Sequence, residues 1–558
     1  MMSDPLESIY PETAPRIRQA RSLPERDIDD RLVPYSCIGA LLAERTCTTP
    51  EAPYLSFYEE DGSPVPEWSL SYAAFHERAR RVTGRLQELG LAPGDRIGVL
   101  AGNDPRAVLL YFGAWLTGIC VVPLNAGEDD DRLAFVLDNA RIKIVFALPE
   151  HVGRIQSGGP RVVNVVAEPI EAERMPAALP ELTPDTEALI VYTSGTTGAP
   201  KGVVLDQYNL MVDARGIANW HRFGPDDRAL NVLPIHHVNG TTVTLMTPLY
   251  AGGSVVLSRR FRASTFWPTI ARERCTWTSV VPTILAFLCE QGPEAMAGLE
   301  LSRFRHIICG AGPLTTDLAA RFDRTCGVRV VHGYGLSETT CYSCFLPIDL
   351  SEAEQRHWMT ECGFPSIGCP IPENAMRVHD AEGNPLPPEA RGEIVIRGHN
   401  VMRGYYRRPE ANADSFAHGW FRSGDEGFFR RGDDGRDYYF ITGRLKELII
   451  RGGVNYSPFD IDEVLNAIPG VRAAMAVGFE NDFYGEEIGA YVQKEPGASL
   501  TEEDILCACR THLPFAKSPK VVVFGDTFPV TTTGKYQRGK LRDRFAGWRN
   551  AEFRRPTK

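Results

Sequence analysis

Residues 192–202 read YTSGTTGAPKG, with three glycines, four Ser/Thr hydroxyls and one lysine. An apolar run, ALIV, leads into them. Small residues let backbone N–H groups close on a phosphate, the hydroxyls add donors and Lys201 adds charge. This is not a Walker A loop, because Gly195 and Gly198 do not fit G-x-x-x-x-G-K-[ST]. Gly534-Lys535 has Pro529 where that motif needs glycine, and GAGPLT at 310–315 lacks the third glycine of a dinucleotide fingerprint. Four more strings concentrate reactive side chains: GYGLSETT at 333–340, GWFRSGDEG at 419–427, ITGRLKELIIRGGVNYSP at 441–458 and PVTTTGKYQRGKLR at 529–542. Taken singly these are weak signals. Tyr334 reads as a core tyrosine, Glu338 as a solvated turn acid, and Asp425 and Arg444 as members of surface ion pairs.

Together, and in this order, the five strings resemble those of the adenylate-forming superfamily: acyl- and aryl-CoA ligases, luciferases and the adenylation domains of peptide synthetases. The resemblance covers nearly the whole chain. It implies that a carboxylate attacks the α-phosphate of ATP, pyrophosphate leaves, and the acyl adenylate is passed to coenzyme A as a thioester. Such chemistry needs positioning and cations rather than a covalent nucleophile. The resemblance assigns Thr193, Ser194, Gly195, Thr196, Thr197, Gly198 and Lys201 to the phosphates of ATP. It places Gly333, Tyr334 and Gly335 against adenine, with the tyrosine stacked, and puts Ser337 where the family usually has threonine. Glu338 would hold Mg2+, a cation that prefers carboxylate and phosphate oxygens. Asp425 would accept from both ribose hydroxyls, with Arg444 as a nearby donor. Lys535 would touch the carboxylate and the α-phosphate as a mobile point charge. Lys446 would be the hinge about which a C-terminal lid turns between half-reactions, bringing Gly452 and Gly453 to a narrow thiol channel.

The string LPIHHVNGTT at 233–242 resembles the family's acyl-pocket element, with His237 in the histidine position. It contains no aspartate for a substrate amine, which disfavours an amino acid. Its His236-His237 pair is similar to an acyltransferase motif but lacks the aspartate. Gly310, Ala311 and Gly312 would form a second pocket wall. Mixed polar and small residues on both sides predict a short or aromatic small-molecule acid. Coenzyme A is the expected acceptor, with Lys517, Lys520 and Arg538 as candidates for its phosphates. The alternatives are transfer to a carrier protein or an amine, activation of an unusual small oxyanion, a non-catalytic homologue or a luciferase-like oxygenase. With no phosphopantetheine site after Lys558, the enzyme is expected to stand alone.

The elements that must carry these residues alternate amphipathic helix with short apolar strand from about Leu70 onward, which predicts an α/β fold with parallel sheets. Residues 1–70 read as irregular. Around 370–443 short strands and the turns Arg391-Gly392 and Asp434-Gly435 predict a small antiparallel β subdomain. The expected organisation is a large N-terminal domain of layered α/β subdomains, 1–443, and a small mobile α+β C-terminal domain, 444–558. Residues 107–124 are uncharged, 18 in number, but Asp104-Pro105 and Gly118 frame a buried helix followed by a strand rather than a membrane span. The 558 residues carry 60 Lys plus Arg against 71 Asp plus Glu, a net −11 that argues against nucleic acid as a partner. Cys341-x-x-Cys344 has the spacing of half a zinc site, but Cys362 and Cys369 have six residues between them, too many for the second half. An N-terminus without an apolar leader and an odd number of cysteines, 13, predict a cytoplasmic protein with reduced thiols.

Overall fold

The computed structural model describes residues 11–59, 63, 65–156, 158–176, 178–193, 200–530 and 536–554. Two large sheets form the centre. One has seven strands in the order Gly404–Tyr405, Lys201–Asp206, Glu187–Thr193, Cys120–Pro123, Arg96–Leu100, Ile144–Ala147 and Arg161–Asn164. It is parallel from Glu187–Thr193 outward to Arg161–Asn164, and antiparallel across Lys201–Asp206. The other has nine strands, with Val330–Tyr334, His306–Cys309, Trp277–Val280, Arg228–Asn231, Ser254–Ser258 and Pro53–Tyr58 as its parallel centre. Strands buried on both faces explain why these segments are continuously apolar.

Helix Pro105–Thr117 lies in this core, buried at every position except Arg106. Asp104 caps it and Gly118, at φ 71°, ends it in the left-handed region. Trp115 satisfies its indole by donating to the Ala188 carbonyl at 2.9 Å. At about 1.5 Å per residue the helix is about 20 Å long, short of a bilayer. Among the described residues no helix is long and apolar enough to cross a membrane.

The N-terminal stretch is more ordered than its sequence predicts. It forms helices Ala14–Arg21 and Ile38–Thr48 and strands Pro53–Tyr58 and Trp68–Ser71. Tertiary partners create this order. Arg21 forms a buried ion pair with Asp206 at 2.6 Å, and Pro53–Tyr58 pairs in parallel with Ser254–Ser258, about two hundred residues on. A second correction concerns Gly392, which opens a strand instead of making a turn. A Cβ there would overlap the His379 carbonyl oxygen, so close approach across the strand pair requires glycine. Asp434-Gly435 does turn, with Gly435 at φ 77°.

Strands Asn374–His379, Gly392–Gly398, Phe421–Arg431 and Asp437–Arg444 form a four-stranded antiparallel sheet. After Arg444 a further sheet combines Ile449–Arg451, Val454–Tyr456, Val471–Asn481, Gly485–Lys494 and Val521–Phe524, covered by helices Pro458–Asn466 and Glu502–His512. It has apolar clusters of its own, around Ile461, Leu465 and Ile488 on one face and Phe479 and Phe545 on the other.

Candidate active site

A cleft of about 2300 Å3 opens where both large sheets, the antiparallel sheet and the C-terminal sheet meet. Most of the expected site residues line it: Thr193, Lys201, His237, Ala311, Gly312, Gly333, Tyr334, Gly335, Ser337, Glu338, Asp425, Arg444 and Lys446. Ser194, Gly195, Thr196, Thr197, Gly198 and Lys535 lie outside the described residues.

The local structure explains the residue types. Strand Val330–Tyr334 delivers Tyr334 to the cleft, and a single 3-10 turn, Ser337–Thr339, presents Glu338. The chain doubles back so tightly that a Cβ on Gly335 would overlap the Cys341 carbonyl oxygen. Only glycine fits there. Asp425 and Arg444 face each other across neighbouring strands, with Arg444 Nε 3.2 Å from Asp425 Oδ1. The Tyr334 hydroxyl donates to Asp425 Oδ2 at 2.7 Å. Burial, with Asp425 beside it, pushes the Tyr334 phenol well above its ordinary value. The same carboxylate raises Arg444.

Lys201 begins the strand that follows the glycine-rich loop. Its ammonium stands over the ring of Tyr405 at 4.6 Å, and the Tyr405 hydroxyl donates to Glu338 Oε1 at 2.8 Å. Burial lowers the Lys201 pKa, the positive charge of Lys446 lowers it further, and Glu338 opposes both. Among the described residues no cation lies within ion-pair distance of Glu338, which leaves its second oxygen open. A hard oxygen donor so placed at a phosphate-binding cleft fits Mg2+.

Asn239 and Tyr342 also line the cleft. Ser279 donates to Asn239 Oδ1 at 2.8 Å, and Asn239 Nδ2 donates to the Tyr342 hydroxyl at 3.4 Å. Gly310 sits directly behind, and a Cβ there would come 2.6 Å from that hydroxyl and from the Gly333 carbonyl oxygen. Tyr405, Ser279 and Tyr342 escape sequence reasoning, whereas Asn239 lies inside the 233–242 string without being singled out there. Tyr342 follows the 333–340 string closely, and no spacing marks Tyr405 or Ser279.

Gly452 and Gly453 do not reach the cleft in this arrangement. They form the exposed turn between Ile449–Arg451 and Val454–Tyr456, at φ 59° and 80°. Space around Gly453 is open, so the backbone conformation demands glycine here and crowding does not. The three cations expected at the phosphates of coenzyme A are each engaged by protein groups, although Arg538 also lines the cleft. Lys520 is buried, donates to the Phe515 carbonyl at 2.7 Å, and is lowered to about 8 by that burial. Arg538 is buried against Asp462 at 2.6 Å, and Lys517 pairs with Asp460. No disulfide joins the cysteines among the described residues.

The C-terminal part is docked on the rest through polar contacts. Glu463 accepts from the Thr316 amide at 3.1 Å and its hydroxyl at 2.6 Å. Arg391 reaches Asp460 at 2.9 Å, and Arg472 pairs with Glu290.

This architecture recurs in solved enzymes. ATP-bound MatB from Rhodopseudomonas palustris superposes with a TM-score of 0.80 at 28% identity, over 91% of this chain and 99% of its own. The Bacillus subtilis o-succinylbenzoate CoA synthetase MenE, in complex with its acyl-adenylate intermediate OSB-AMP, gives 0.77 at 26%, over 90% and 98%. Among curated relatives, the sulfoacetate–CoA ligase of Cupriavidus necator is 36% identical over 522 residues, 91% of this chain and 97% of its own. The feruloyl-CoA synthase of an Amycolatopsis species is 32% identical over 480 residues, 86% and 94%. The family model for AMP-binding enzymes matches residues 43–406, and that for the AMP-binding enzyme C-terminal domain matches residues 460–535. With both models matched in order and the fold shared along nine-tenths of its length, the chain belongs to the AMP-binding enzymes.

Proposed function

We propose that this enzyme is an AMP-forming acid–CoA ligase whose acid is short and polar. It activates a carboxylic acid with ATP as an acyl adenylate, releases pyrophosphate and transfers the acyl group to coenzyme A. The observation that carries the reading is the cleft itself. It is lined by Lys201, Glu338, Asp425 and Arg444 together with Asn239, Tyr342 and His237. Lys201 and Arg444 offset phosphate charge. Asp425 has about four lone-pair sites, so Tyr334 and Arg444 leave room for ribose hydroxyls. The face of Tyr334 is assigned to adenine. Glu338 would hold Mg2+, which when bound neutralises phosphate charge and so eases departure of pyrophosphate.

The division into 1–443 and 444–558, turning about Lys446, belongs to the same proposal. It is supported by the separate apolar clusters after residue 448 and by the polar character of the docking contacts. Lys535 is assigned to the α-phosphate, and Tyr536, next in sequence, lines the cleft. The polar lining, together with a relative named for sulfoacetate, supports a small acid bearing a second polar or anionic group. Thirteen cysteines with no disulfide recorded among them support a cytoplasmic site of action.

Acid-dependent pyrophosphate release, measured across short dicarboxylates, sulfonated acids, aryl acids and palmitate with and without coenzyme A, tests the proposal. Release with short polar acids, accompanied by thioester formation, is expected. Release with palmitate alone would overturn the acid assignment. Release that never yields a coenzyme A thioester would point to a carrier protein or an amine. Lys535→Ala should nearly abolish adenylate formation and spare thioester formation from a supplied acyl adenylate. Equal loss of both would overturn the rotation.

A further inference from the structure

Glu338 and Lys201 carry opposite charges into the same half-buried cleft, where attraction is stronger than in bulk water. They are close enough for Glu338 to act on the Lys201 ammonium, yet no ion pair joins them. Tyr405 engages both. Its hydroxyl occupies Glu338 Oε1 at 2.8 Å, and its ring face holds Lys201 Nζ at 4.6 Å.

The backbone fixes this arrangement from several directions. Tyr405 is buried and pairs with Val203, two residues beyond Lys201 on the same strand. The amides of Arg403 and Tyr406 donate to the Val204 and Gly202 carbonyls at 3.0 and 2.7 Å. The amide of Met402 donates to the Glu338 carbonyl at 2.8 Å. Asn412 clamps Tyr405 itself, accepting from its amide at 2.7 Å and donating to its carbonyl at 3.0 Å. The segment 402–406 therefore ties the strand that carries Lys201 to the turn that carries Glu338.

We propose that Tyr405 is a positioning residue that keeps Glu338 and Lys201 apart, so that the carboxylate stays open to Mg2+ and the ammonium to the polyphosphate of ATP. Without the phenol the lysine would swing onto the glutamate, and the two groups would satisfy each other instead of the substrate. The proposal rests on the roles given above to Glu338 and Lys201.

Calorimetric titration of ATP at graded Mg2+, without acid or coenzyme A, tests it by binding alone. Tyr405→Leu removes both contacts and should raise the Mg2+ concentration for half-maximal ATP binding by about tenfold. Tyr405→Phe keeps the ring beneath Lys201, packs in the same space and should raise it by less, about threefold, below the usual range for loss of a whole supporting contact. Adding Lys201→Met to Tyr405→Leu should move the Mg2+ response back toward the wild type, because the collapsed pair no longer exists. Glu338→Gln serves as the reference. If it shifts the Mg2+ response while both Tyr405 variants leave it unchanged, the role of Tyr405 is overturned. If Glu338→Gln itself leaves the response unchanged, the assignment of Glu338 fails instead. If Lys201→Met deepens the Tyr405→Leu defect, separation of the charges is not what the tyrosine provides.

Discussion

The Tyr334 hydroxyl donates to the Asp425 carboxylate at 2.7 Å, although 91 residues separate them in the chain. One tyrosine thus offers a ring to the cleft and a proton to the group assigned to ribose, which couples the two halves of nucleoside recognition.

Removing that carboxylate should weaken nucleotide binding more than removing the phenol oxygen. A hydrogen bond to a charged group contributes about 2 kcal/mol, so Asp425→Ala should raise KM for ATP about 30-fold. Tyr334→Phe keeps the ring and leaves Asp425 its Arg444 contact, so a rise of about fivefold is expected. Steady-state pyrophosphate release with varied ATP measures both, and a larger effect for Tyr334→Phe would contradict the arrangement.

Docking of the C-terminal part should weaken as pH rises. Withdrawal from water raises Glu463 to about 7, with Asp462 and Asp317 adding to the rise and the Thr316 donors opposing it. Undocked, the side chain returns toward its ordinary 4.5. Between these values the docked form binds more protons, so the contact is strongest below the lower value and declines through pH 7. The docking equilibrium should fall about tenfold between about pH 6 and pH 8. Hydrogen exchange at residues 444–448 reports it, and Glu463→Gln should flatten the response. An unchanged slope in that variant would assign the pH dependence elsewhere.

The turn at 452–453 separates two demands on one residue. Asparagine tolerates positive φ far better than β-branched residues do. Gly453→Asn should therefore keep thermal stability within about 1 kcal/mol and preserve adenylate formation. It should reduce thioester formation if this turn faces the thiol during the second half-reaction. Gly453→Val should lose stability as well. Full thioester yield from Gly453→Asn would remove the turn from the acceptor path.

Helix Pro105–Thr117 was legible because its stop and start signals are local: an aspartate cap, a proline at the first position and a glycine at the end. The cleft was legible through strings whose members stay together in space, such as Tyr334, Ser337 and Glu338. What remained hidden depends on distant partners. Pro53–Tyr58 is a central strand because Ser254–Ser258 lies beside it, and Tyr405 matters because a strand pair sets it under Lys201. Lys520 and Arg538 read as candidates for the phosphates of coenzyme A because sequence cannot show that Lys520 donates to the Phe515 carbonyl and Arg538 pairs with Asp462 inside the fold.

Asp460 has one cation from each side of the docking surface, Arg391 from the antiparallel sheet and Lys517 from its own part of the chain. In the rotation proposed above, Arg391 would depart while Lys517 travels with the carboxylate. Such a motion would be a hand-over in which no anion is stranded, so breaking this contact would carry little electrostatic cost.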